Sequence, residues 1–151
     1  AVMEAEAVVV GGGNTFALIK KMQEQRLLGP LHERIMDGLP YVGWSAGSNV
    51  ACPTIRTTND MPIVEPESFR AIGAVGFQIN PHYLDANPAG HAGETREPGV
   101  YVAGLREGCM LHVEGNGMTL KGPRPMRVFR FGEAPREIEP GADLSFLMEK
   151  A

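Results

Sequence analysis

The sequence holds no apolar run near the roughly 18 residues a membrane-spanning helix needs, so no membrane partner is expected. It opens Ala1-Val2-Met3-Glu4-Ala5-Glu6. That stretch is acidic where a secretory leader would be basic, so no leader is expected either. Cysteine is scarce. Cys52 and Cys109 are the only two, far apart and in no metal-binding spacing. They read as reduced thiols, which points to a cytoplasmic protein and not to a disulfide scaffold. Positive charge is in the minority, with 14 Lys and Arg against 18 Asp and Glu and a net charge of −4. The basic residues are scattered and form no stripe, which argues against a nucleic-acid partner. No internal repeat, Gly-X-Y period or Ser/Gln tract is present, so collagen-like and low-complexity readings fall away.

What remains is 151 residues with 43% hydrophobic and 21% charged side chains. That length suits one globular domain that buries well over half of its unfolded surface. The unusual count is 19 glycines and 12 prolines. Together they make about 21% of the chain, against a usual share of roughly 12%. So much punctuation implies many tight, specified turns.

Ala7-Val8-Val9-Val10 is a short β-branched run ending in Gly11-Gly12-Gly13. It reads as a fully buried strand of the kind found in parallel sheets. Asn14 or Thr15 can cap a helix whose face carries Phe16, Leu18, Ile19 and Met22. Leu28-Gly29-Pro30 is expected to break it. A second helix with Leu31 and Ile35 ends at Gly38. Pro40–Trp44 reads as a second buried strand, which completes a βαβ unit with parallel pairing. Between Ala51 and Arg96 five prolines forbid long helices, and a strand is expected over Ala74–Ile79. Beyond that the chain turns to β. Strands are expected over Val100–Leu105 and Met126–Phe131, with a hairpin around Glu114-Gly115-Asn116-Gly117. The tail, Gly141–Ala151, carries no clear signal.

Gly43-Trp44-Ser45-Ala46-Gly47 is a G-x-S-x-G pentapeptide between a strand and a helix-forming segment. This spacing sets a serine on a strained turn, exposes its hydroxyl and aims the next N–H at a substrate carbonyl. Gly11-Gly12-Gly13-Asn14-Thr15 also follows a strand and opens a helix. It is no Walker A loop, since no Gly-Lys-Ser/Thr follows. It is no dinucleotide fingerprint, since Phe16 stands at the third glycine's place. Bare N–H groups at a helix start suit a developing negative charge, which beside a serine nucleophile is an oxyanion. The serine needs a base. His32 and His112 read as structural or exposed. His82, after a strand, and His91, in Gly90-His91-Ala92-Gly93, are the candidates. Asp60 and Glu107 are the candidate acids to orient the imidazole, and position alone does not choose between them.

Together these segments resemble the peptidase E family of bacterial aspartyl dipeptidases, peptidase family S51. The likeness is carried by Val9–Phe16, Gly43–Gly47, Ala51–Val64, Gln78–His82 and Gly90–Glu97. Its most specific part is Thr57-Thr58-Asn59-Asp60, which no generic turn requires. The resemblance implies an α/β fold. Specifically, it implies a three-layer α/β/α sandwich with a mostly parallel sheet, class I glutamine amidotransferase-like (flavodoxin-like). It implies hydrolysis of dipeptides with an N-terminal aspartate by Ser45 as nucleophile, His82 as base and Glu107 as the orienting acid, with Asp60 the alternative. Gly13 and Ala46 match the oxyanion-hole donors. Arg96 matches the arginine that binds the substrate's aspartyl carboxylate, with Asn14 as a further substrate contact. A guanidinium holds a carboxylate bidentately, which suits an acidic substrate on a net-acidic protein.

No metal or cofactor is implied. The expected partner is a small acidic peptide, and the expected state a monomer or homodimer. The chain departs from the family in two places. The family's earlier strand–helix units have no counterpart before Val8. Pro98-Gly99-Val100 follows Arg96 where the family continues through a helix. The expectation is therefore a single α/β peptidase domain over 1–151, incomplete at its N-terminus and shortened around 97–100. Two other readings stand: a cyanophycinase-like peptidase or other acyl hydrolase of the same fold, and a non-catalytic ligand-binding domain.

Overall fold

A computed structural model describes residues 1–86 and 98–148. The chain divides into two compact units, Ala1–Val75 and Gly76–Ala151.

In the first unit, β1 (Val8–Val10) pairs in parallel with β2 (Tyr41–Gly43), Val8 opposite Tyr41 and Val10 opposite Gly43. The crossover runs through α1 (Thr15–Glu24) and α2 (Leu28–Met36). The helix break lies earlier than Leu28-Gly29-Pro30. Arg26, at φ 55°, ends α1, where Leu27 N–H donates to Met22 O and Arg26 N–H to Gln23 O. This is a Schellman closure on a non-glycine residue, which leaves little trace in sequence. Gly29 and Pro30 instead fall in the first turn of α2, where a missing proline N–H costs nothing. Gly38, at φ 106°, closes α2 as expected, with Leu39 N–H on Arg34 O.

The core of this unit gathers Ile19, Met22, Leu31, Val50, Ile55, Ala71 and Ile72, with Val8, Val10 and Tyr41 packed against it. All of this packing falls on one face of the strand pair. Val9 and Val42, opposite each other, are exposed. The expectation of fully buried strands is therefore corrected to an alternating pattern. The Pro-rich segment after α3 (Ala46–Ala51) returns to this core. Ile55 N–H donates to Phe69 O, and Ile72 N–H to Val50 O.

The second unit holds a four-stranded sheet in the order β3 (Gln78–Asn80), β4 (Tyr101–Gly104), β7 (Met126–Arg130), β8 (Arg136–Ile138). β3 and β4 are parallel, while β4–β7 and β7–β8 are antiparallel. The hairpin β5 (Met110–Glu114) and β6 (Gly117–Lys121) turns at Gly115, φ 59°. The expected mostly parallel sheet is thus corrected to mixed sheets among the described residues. A parallel return needs a crossover of a dozen or more residues, usually a helix. The stretch between β4 and β7 is spent on a hairpin instead. Over 141–148 the chain packs through Leu144 and Leu147, both buried, around a 3₁₀ turn at Ser145–Met148. Among the described residues no helix is long and apolar enough to cross a membrane.

Candidate active site

Ser45 stands between β2 and α3 at φ 55°, ψ −116°. This is a conformation that glycine usually fills, and its cost of order 1–3 kcal/mol persists only when the surroundings enforce it. The glycines of the pentapeptide supply that enforcement. A Cβ on Gly47 would stand 2.0 Å from Val10 O, and one on Gly43 2.7 Å from Gly47 O. Only glycine lets α3 press against β1 so closely. Tyr41 Oη donates to Gly47 O at 2.7 Å and ties the helix start back to β2. Burial, reinforced by Cys52, pushes the Tyr41 phenol far above its ordinary pKa, so this donor stays protonated. Ser48 N–H and Asn49 N–H both return to Ser45 O.

The glycine loop adjoins this serine. A Cβ on Gly12 would lie 3.5 Å from Ser45 Cβ and 3.7 Å from Ser45 Oγ. Gly13, at φ 131°, needs glycine's freedom. Among the described residues, neither the Gly13 N–H nor the Ala46 N–H has an acceptor. The start of α1 is less free than its sequence implies. Thr15 N–H is taken by Asp60 Oδ2 at 2.7 Å, and Ala17 N–H by Asn14 Oδ1 at 3.1 Å. Asn14 Nδ2 also donates to Met61 O at 2.8 Å. These helix-start donors are therefore committed, while the Gly13 and Ala46 amides are not, among the described residues.

His82 and Glu107 lie in the second unit. Parallel pairing of β3 with β4 puts both strand ends at one edge, and Leu105 N–H on Asn80 O with Tyr83 N–H on Leu105 O extends it. His82 follows β3 at φ 56°, and its Nδ1 pairs with Glu107 Oε1. Nδ1–H on a carboxylate leaves the lone pair on Nε2. Asp60, the other candidate acid, is engaged with Thr15 in the first unit. His32 Nδ1 lies 3.0 Å from Ile72 O. His91 and Arg96 lie outside the described residues.

One cluster escapes the sequence reading. Arg106, beside Glu107, bonds Asp85 at 2.7 Å, Glu137 at 2.9 Å and Pro125 O at 2.7 Å. Its guanidinium also covers the Tyr83 ring at 5.3 Å. Arg127 Nε reaches Glu137 at 2.5 Å. Arg106, then Arg127, holds the Glu137 carboxyl below its ordinary pKa. The cluster thus braces the two residues adjoining the His82–Glu107 pair. Its members are spread from Asp85 to Glu137, so no local motif announces it. Among the described residues, no three His, Cys, Asp or Glu side chains gather where a metal ion could be held.

A sequence model of peptidase family S51 matches residues 1–121. The chain is 51% identical over 160 residues to the peptidase E of Nostoc sp. (strain PCC 7120), with 99% of this chain covered. It is 53% identical over 156 residues to the peptidase E of Streptomyces coelicolor, with 97% covered. The chain spans 66% and 64% of these relatives' own lengths. Its fold is similar to the crystal structure of a peptidase from an acI-B1 Actinobacterium. There the TM-score is 0.68 at 17% identity, over 96% of this chain and 61% of that one.

Proposed function

The chain belongs to peptidase family S51, and we propose that it carries the catalytic groups of a serine dipeptidase acting on Asp-Xaa dipeptides. The observation that carries this reading is the strained Ser45 elbow edged by Gly12, with the Gly13 and Ala46 amides free to donate among the described residues. The kinship with proteins named peptidase E supports it.

In this reading Ser45 Oγ attacks the aspartyl carbonyl carbon while His82 Nε2 takes its proton. Gly13 and Ala46 N–H groups stabilise the oxyanion of the tetrahedral intermediate. Collapse breaks the C–N bond, and the imidazolium returns the proton to the leaving amine. Water then attacks the acyl-enzyme carbon, giving its proton to His82; the bond from that carbon to Ser45 Oγ breaks, the imidazolium returns the proton to Oγ, and aspartate is released. Glu107 holds the imidazole tautomer and stabilises the imidazolium. Arg96 binds the substrate's side-chain carboxylate, and Asn14, with one amide hydrogen uncommitted among the described residues, is a further substrate contact. The partner is a small acidic peptide, and the chain acts as a monomer or homodimer in the cytoplasm, a setting in keeping with two free thiols. For the architecture, we infer the three-layer α/β/α sandwich of the class I glutamine amidotransferase-like group. The parallel β1–β2 unit with its helical crossover supports this.

The test is a substrate panel. The chain should hydrolyse Asp-Leu, with little turnover of β-linked aspartyl-arginine or simple esters. Preference for either of the latter two would replace the reading with another acyl hydrolase of this fold. Turnover of none, with no Ser45 labelling by a phosphonate, would count against catalysis by this chain.

A further inference from the structure

The run Thr57-Thr58-Asn59-Asp60 has no part in the chemistry above, yet the side chains of Thr57, Thr58 and Asp60 join a cluster at the start of α1. Asp60 Oδ2 accepts from both the N–H and the hydroxyl of Thr15, each at 2.7 Å. The Thr58 hydroxyl donates to Thr15 Oγ1 at 3.0 Å, and Asp60 N–H donates to Thr58 Oγ1 at 3.2 Å. Thr15 and Asn49 are buried. Asn49 Oδ1 lies 3.4 Å from Thr15 Oγ1, and its Nδ2 donates to Thr57 Oγ1 at 3.3 Å. One polar cluster therefore joins the start of α1, the elbow helix α3 and the loop 57–60. Thr15 stands two residues after Gly13, and Asn49 four residues after Ser45. The cluster lies at the common base of the glycine loop and the serine elbow.

We propose that Asp60 is a positioning residue. Through Thr15 it sets the Gly12–Gly13 loop against the Ser45 elbow, so that the Gly13 and Ala46 amides converge on one oxyanion. The proposal rests on the serine-peptidase reading and deepens it. Three glycines carry no side chain by which the loop could be held, and a Cβ on Gly13 would meet nothing within 4 Å. Its upstream end is held by β1 and by Gly11 against the Trp44 ring, and its downstream end is held through Thr15. A carboxylate taking two donors of one residue fixes both place and orientation, and such charge-assisted bonds are short and strong. The partial positive charge of the α1 N-terminus stabilises the carboxylate there. Oxyanion donors act only when held in place before the charge forms.

The test uses the full chain with Asp60→Ala, Asp60→Asn, Thr15→Val and, as a comparison, Glu107→Gln. Hydrogen exchange of the amide at position 15, whose N–H donates to Asp60 Oδ2, should quicken at least about tenfold in Asp60→Ala and Thr15→Val. Unchanged exchange would overturn the proposal whatever the activity of the chain. On Asp-Leu, kcat of Asp60→Ala should fall about 100-fold, with KM held within about twofold. Asp60→Asn, which keeps one acceptor oxygen, should recover to within about tenfold of wild type. Its kcat/KM against pH should keep the wild-type midpoint, while that of Glu107→Gln moves. A loss near 10⁴-fold in Asp60→Asn with a moved midpoint would make Asp60 the imidazole-orienting acid and overturn the proposal. A lower Tm in Asp60→Ala with unchanged kcat would reduce Asp60 to a fold anchor and overturn it as well. Should Asp60→Ala not fold, Asp60→Asn and Thr15→Val carry the same readouts. An inactive wild-type chain would count against the peptidase reading alone, and the exchange result would still decide the positioning role.

Discussion

Ser45 and His82 are both held near φ +55°, one in each unit, but by different means. Around Ser45 the enforcement is local. Gly43, Gly47 and Tyr41 all lie within four residues of it; the two glycines act through backbone packed at a distance no Cβ would permit, and Tyr41 through its hydroxyl on Gly47 O. Around His82 it is long-range. Its partner Glu107 is 25 residues away in sequence, and the bracing cluster draws on Asp85, Arg106, Arg127 and Glu137. The first unit holds its reactive residue by steric exclusion. The second holds its residues by charge and hydrogen bonding on an exposed edge. The two should therefore break differently.

The largest effect is expected from the elbow itself. Ser45→Ala should lower kcat on Asp-Leu by about 10⁵-fold or more while binding changes little, since the nucleophile is lost and the pocket is not. Steady-state kinetics with inhibitor binding would check this, and wild-type-like turnover would end the assignment. Next comes the proposed orienting acid. Glu107→Gln should cost about 10³- to 10⁴-fold in kcat, because a neutral partner no longer selects the productive tautomer. The same loss in kcat at unchanged Tm would place the effect in chemistry and not in folding.

A test of steric exclusion comes third. Gly47→Ala puts a methyl carbon 2.0 Å from Val10 O and should destabilise the chain by about 3 kcal/mol or more. Urea unfolding would measure it, and a shift below about 0.5 kcal/mol would mean that α3 moves away freely. The smallest effects separate the units by pH. Tyr41, with its pKa raised above the ordinary 10.0, contributes stability that is present below pH 10 and lost as pH rises beyond it. Tyr41→Phe should remove that alkaline loss and cost about 1 kcal/mol at neutral pH. Glu137, lowered from the ordinary 4.5, contributes stability that is present above that value and lost as pH falls through its folded pKa. Glu137→Gln should flatten the acid side alone and shift stability at pH 7 by less than about 1 kcal/mol. Urea midpoints across pH would show whether the two variants act on opposite limbs.

Element types were largely legible in the sequence. The β-branched run at Val8–Val10, the Gly38 stop and the Glu114–Gly117 turn each state their structure locally. The end of α1 was not legible, because Arg26 takes a conformation that its side chain does not advertise. The antiparallel hairpin β5–β6 was legible from its turn, while the antiparallel pairing of β4 with β7 was not, because a local strand signal is the same in parallel and antiparallel sheets.

The sequence alone determined the elbow, since Gly43-Trp44-Ser45-Ala46-Gly47 carries in five residues both the proposed nucleophile and the absent Cβ atoms its turn requires. It also narrowed the imidazole to His82 or His91 and the acid to Asp60 or Glu107. Only the tertiary structure brought Glu107 to His82 and Asp60 to Thr15. Those pairings depend on which strand ends and loops fold side by side, and residues 25 and 45 positions apart leave no mark on each other until the chain has closed.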